Sequence, residues 1–86
     1  MASVEEVKAN VAASVDGAQR AVQGIQQVTD QLDQALSLLQ LTAIGSFHPS
    51  VAAAIAQLEQ ARNRLDEAQT LTRAAMDSAD TYRMIV

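Results

Sequence analysis

Apolar residues return at every seventh position, without a break, along two stretches of this chain. With Val4 counted as position a, the first stretch places Val4, Val11, Ala18, Ile25, Leu32 and Leu39 at a. It places Val7, Ser14, Ala21, Val28, Ala35 and Thr42 at d. With Val51 counted as a, the second places Val51, Leu58, Leu65, Thr72, Ala79 and Val86 at a, and Ala54, Ala61, Ala68, Ala75 and Tyr82 at d. An apolar frame held over this length is the pattern of helices that pack along a seam. It leaves little room for strands, whose side chains alternate with a period of two.

Between the stretches lies one cluster of helix breakers, Ile44-Gly45-Ser46-Phe47-His48-Pro49. The expected organisation is one helical hairpin over 1–86, with a helix over 3–43, a turn over 44–49 and a helix over 50–85. Ser3 and Glu6 have the spacing of a capping box, in which the hydroxyl accepts from the Glu6 amide. Glu5 and Glu6 also suit the positive end of the helix dipole. Gly45 is expected to stop the first helix in the left-handed conformation that glycine adopts most cheaply. Pro49 suits the first turn of the second helix, where no N–H is needed. Each helix would run on the order of 55 Å at ~1.5 Å per residue.

A short turn makes the helices antiparallel neighbours. If a faces d, paired residue numbers sum to about 93, the register that also centres the turn between Ser46 and Phe47. That register sets Leu39 against Ala54, Leu58 against Ala35, Leu32 against Ala61 and Leu65 against Val28. Ala18 then meets Ala75, Ser14 meets Ala79, and Val7 meets Val86. Large side chains face small ones at the layers nearest the turn, which fills a seam without voids, and small ones meet small ones further down.

An a/d seam leaves apolar material over at position e: Val15, Val22, Leu36, Ile55 and Met76. The two e rows fall on one flank of an antiparallel pair, so these five residues are expected to form an exposed stripe and a partner interface. The occupant would be a second copy, closing a four-helix bundle by homodimerisation, or a helical hetero-partner. Gly17 and Gly24 share position g, where close approach of another backbone and tolerated surface glycine are both open readings. Phe47, at the hairpin tip, either tucks over the end of the seam or joins Gly45 as a recognition point. The apolar tail from Tyr82 to Val86 either packs on Val4 and Val7 or docks elsewhere.

Composition narrows the chemistry. The chain has 86 residues, a formal charge of −4, no cysteine and one histidine. Without cysteine there is no disulfide framework, and His48 alone makes no recognisable metal site. His48 is expected to act in the turn or as a cap. The carboxylates form no pair isolated in apolar surroundings, as general acid–base work would need. Asp16 with Arg20, and Arg62 with Asp66, read as solvated helix pairs. There is no phosphate-cradling glycine loop. The expectation is no enzyme, no cofactor and no small-molecule ligand. The acidic balance argues against nucleic acid, and no apolar run reaches the ~20 residues of a membrane span. Met1-Ala2-Ser3-Val4-Glu5-Glu6 lacks the order of a cleavable signal peptide, so the protein is expected to be cytoplasmic, or exported without one.

The acidic, cysteine-free helix–turn–helix layout resembles the ESX, or Trp-x-Gly, family of small helical hairpins exported by type VII secretion systems. Of the family's turn signature, Ala43-Ile44-Gly45 keeps only the glycine. Of its export signal, Tyr82 stands without an acid four residues on, where this chain has Val86. The resemblance implies a paired four-helix bundle and a non-enzymatic role in protein–protein interaction, secreted or associated with secretion. The alternative is a cytoplasmic coiled-coil adaptor or assembly subunit unrelated to secretion.

Overall fold

Two long helices account for nearly all of the chain. The computed structural model describes residues 3–46 and 48–85, in which α1 runs Val4–Ile44 and α2 runs Pro49–Ile85. Among the described residues there is no strand. The expected contact of Val7 with Val86, and the placement of Phe47, lie outside them.

The helix ends follow from local hydrogen bonding. Ser3 takes an extended backbone and its Oγ accepts from the Glu6 amide at 3.1 Å, which satisfies one of the four amides a helix start leaves unpaired. Glu5 and Glu6 lie in that first turn. At the other end Gly45 has φ −104° and ψ 4°, so the left-handed stop expected there does not form. The Gly45 N–H donates instead to the Thr42 carbonyl at 3.1 Å, and Ser46 N–H donates to Ala43 at 3.3 Å. These i→i−3 bonds tighten the last turn and satisfy carbonyls without any positive φ. His48 starts α2: its Nδ1 accepts from the Ser50 amide at 3.1 Å, directly before Pro49.

The helices pack side by side and antiparallel. Asp33 of α1 meets Arg62 of α2. Ser14, Val15 and Ala18 line one groove with Ala75, Met76 and Ala79. These meetings fall within about two residues of the expected register, and Ser14–Ala79 and Ala18–Ala75 are among the layers it names.

The seam itself differs from the expected one. From Val11 to Ala43, every a and every e residue of α1 is half-buried or better, whereas Ser14, Ala21, Val28 and Thr42 at d are exposed. In α2 every described a and e residue is half-buried, whereas Ala61, Ala75 and Tyr82 at d are exposed. The packed rows are therefore chiefly a and e, with Val7, Ala35, Ala54 and Ala68 of the d row half-buried beside them. Val22 and Leu36, placed by sequence on a wet flank, are the two most buried side chains among the described residues, each 7% exposed. The reason is area. The e rows carry Val15, Val22, Leu36, Ile55 and Met76, and the d rows are mostly alanine. Rolling each helix by about one seventh of a turn trades alanine methyls for whole aliphatic side chains, each worth ~1.5–3 kcal/mol when fully buried.

The a/e seam has polar members, and each described hydroxyl among them finds a partner. Thr29 and Thr72 donate to the carbonyls of Ile25 and Ala68, four residues back, at 2.8 and 2.7 Å. The result is a rod, 63 by 19 by 15 Å between Cα extremes. Its radius of gyration is 19.3 Å. A compact chain of this length would have about 12 Å.

Candidate interaction surface

The roll of the helices decides which rows face outwards. With a and e packed, the order around each helix runs e, b, f, c, g, d, a. Because same-letter rows meet on one side of an antiparallel pair, the hairpin has two broad faces. One is built from b and f, the other from d and g. Position c lies along the narrow outer edges.

The b/f face is acidic. It holds Glu5, Asp16, Asp30 and Asp33 from α1 and Glu59, Asp66, Asp77 and Asp80 from α2, eight of the chain's ten acids. Arg73 is the one base in those rows, and Arg62, at e, reaches over to join it. The Arg62 Nε donates to Asp33 Oδ1 across the seam, and its Nη1 donates to Asp66 Oδ2 at 3.1 Å. The hydrogen bond to Asp33, then the charge of Asp33 and of Asp66, raises the Arg62 pKa above its ordinary value and keeps the guanidinium charged. A groove along this face is lined by Gln19, Gln23, Gln26, Arg73 and Asp77 over a floor of Val22 and Met76.

The d/g face is nearly free of charge. No charged residue of α1 occupies d or g, and α2 contributes only Arg64, which pairs with Glu67 at 3.5 Å. The rows instead carry small residues, among them Gly17, Ala21, Gly24, Ala61, Ala68 and Ala75. Large apolar side chains stand between them: Val28, Leu38, Leu71, Tyr82 and Ile85. All five are exposed, Leu38 at 66% and Leu71 at 71%. A β-carbon added at Gly17 or Gly24 would meet nothing within 4 Å, so neither glycine is required by contacts inside the hairpin.

The sequence-predicted interface residues thus sit between the helices. Val22 and Leu36 are enclosed, and Val15, Ile55 and Met76 are half-buried beside them. The apolar surface left over is the row expected to pack. Its signal was present in the sequence, as the absence of charge from d and g together, but that signal becomes readable only once the seam is assigned. Gly45 lies in the turn and is exposed, and Phe47 lies outside the described residues. Tyr82, Met84 and Ile85 are exposed, at 50%, 85% and 78%.

No family model, curated protein or solved structure matches this chain.

The remaining features have local explanations. His48 is used as a cap, and among the described residues no three His, Cys, Asp or Glu side chains are grouped to hold a metal ion. No described helix is long and apolar enough to cross a membrane. The Asp16–Arg20 pair forms at 3.1 Å with both side chains well exposed, so it adds at most a few tenths of a kcal/mol, about what such i,i+4 pairs contribute.

Proposed function

We propose that this protein is a non-enzymatic protein–protein interaction module, whose hairpin completes its core by packing against further helices in a four-helix arrangement. The observation that carries this reading is the area the hairpin leaves in water. Its accessible surface is 6255 Å², and among the described residues only Val22 and Leu36 are buried. A compact chain of 9.1 kDa exposes about 4,900 Å². The surplus on this one chain is larger than the roughly 800 Å² per partner that a specific interface removes from water.

An ESX-like role, secreted or associated with secretion, is the specific form we propose for this module. Its support is the likeness in size, acidity and helix–turn–helix layout. The test has two parts. Co-expression with the products of neighbouring genes, followed by size-exclusion chromatography, should bring the chain out in a helical complex or as a self-assembly. Detection in culture filtrate, lost when the secretion ATPase is deleted, supports the secreted form. A chain that stays monomeric alone and with every neighbour overturns the interaction module. A chain that associates but stays inside cells with a working secretion system is an adaptor instead.

A further inference from the structure

We propose that the uncharged d/g face is a self-pairing surface and that its occupant is a second copy of this chain, laid face to face about a two-fold axis. This rests on the interaction-module reading and deepens it by naming the face and the partner.

Three observations point to a second copy. The first is size. The broad face spans 63 by 19 Å between Cα extremes, enough for the roughly 800 Å² per partner that a stable dimer buries. The second is charge. Two copies of a chain with net charge −4 repel at most contacts, but a face whose only charged residue is Arg64, already paired with Glu67, lets them meet without opposing like charges. The opposite broad face, with eight acids, prevents a third copy from stacking there, so association closes at two.

The third is shape. At ~1.5 Å per residue, Leu38 lies about 13 Å from the turn and Gly17 about 44 Å from it. Those levels are nearly symmetric about the middle of the rod. With turns at opposite ends, α1 packs on the partner's α1 and Leu38 lies over the open side of Gly17. Leu71 then lies over the level of Ala61. With turns together, α1 packs on the partner's α2 and Leu71 lies over Gly24, as Leu38 does over Ala54. In either orientation that a two-fold axis allows, a large side chain enters a gap beside a small one, the arrangement that lets helix faces approach closely. The open space beside one glycine is thereby used in each orientation: Gly17 is the socket with turns opposed, and Gly24 is the socket with turns together.

Sedimentation equilibrium on the full chain tests this. The unmodified protein should be dimeric at tens of micromolar. Leu71→Asp and Val28→Asp should each weaken the dimer on the order of 100-fold, because each sets two carboxylates into an apolar contact. Both side chains are exposed in the single hairpin, so helicity by circular dichroism should persist. Gly17→Leu and Gly24→Leu each put a better helix former at a glycine, so both should raise helix content; the first should lower the affinity of a turns-opposed dimer and the second that of a turns-together dimer. Asp30→Lys and Asp77→Lys, on the acidic face, should leave the dimer intact. A dimer unmoved by Leu71→Asp, Val28→Asp and both glycine variants overturns the face while leaving the interaction module standing. A chain still monomeric at hundreds of micromolar overturns the second copy. The module itself then stands or falls on whether a neighbour's product binds.

Discussion

At the scale of single residues, two polar side chains each satisfy the start of a helix. Ser3 Oγ takes the Glu6 amide, and His48 Nδ1 takes the Ser50 amide. Replacing either acceptor leaves a helix-end N–H to water alone. Ser3→Ala and His48→Ala should therefore each lower stability by ~0.5–2 kcal/mol in urea titrations, and His48→Asp should restore the loss by supplying a carboxylate in the same place. Gly45 behaves in the opposite sense. Its φ of −104° is open to any residue, and an added β-carbon would come no nearer than 4.0 Å to the Thr42 carbonyl. Gly45→Ala should thus stabilise the protein by ~0.4–1 kcal/mol, through the freedom the unfolded chain loses. A left-handed stop would give the opposite sign, so the direction of this change alone separates the two backbone geometries.

At the scale of the element, the seam was partly legible and partly not. That two helices form, where they stop and how they are offset could all be read from the a row, the breakers and the length of the turn. Which neighbour of a completes the seam could not be read as easily, because d and e are both apolar and lie on either side of a. The large-against-small argument favours d, as in Leu32 against Ala61. Burial favours e, because Leu36 and Val22 have more surface to remove than Ala35 and Ala21, and the structure follows burial. The cross-helix contact of Arg62 with Asp33 was also hidden. Sequence spacing shows only the Arg62–Asp66 partner on the same helix, and the second carboxylate comes within reach only after the roll. Leu36→Ala should then cost ~2–4 kcal/mol, as removal of an enclosed leucine does. Leu41→Ala, on the narrow outer edge and 66% exposed, should change stability by less than ~0.5 kcal/mol. An a/d seam predicts similar small values for both. The seam position of Arg62 gives a companion measurement. Arg62→Leu adds apolar surface between Ile55 and Gln69 and should raise the thermal midpoint. Asp33→Ala removes a cross-helix pair whose side chains are 38% and 46% exposed, so it should lower the midpoint only slightly.

At the scale of the whole molecule, the shape and the chemistry of the faces are linked. A hairpin of helices of 41 and 37 residues has one seam for its whole length. One seam gives each helix a single buried stripe, and even its best-packed side chains keep some contact with water. Conformational entropy rises with every residue ordered, whereas burial rises only with the stripe, so a longer hairpin of this kind gains little margin by itself. A second layer changes that balance by converting one broad face into an interior. The segregation of charge, with acids on b and f and almost none on d and g, means that only one face can take that role. It also gives stability a concentration dependence. If unfolding separates two copies, mass action raises the midpoint with protein concentration. With about 2.1 cal/mol/K of unfolding entropy per residue, a dimer of two 86-residue chains should gain about 4 °C per tenfold increase. A scan from a few micromolar to a few hundred, followed at the helical band, should show this slope for the unmodified chain and a flat line for Leu71→Asp. A flat line for both would mean that the single seam suffices. A slope for both would place the partner on another face, and the b/f face would then have to pair despite its eight acids. That pairing would weaken at low ionic strength, whereas contact through d and g would respond little to salt.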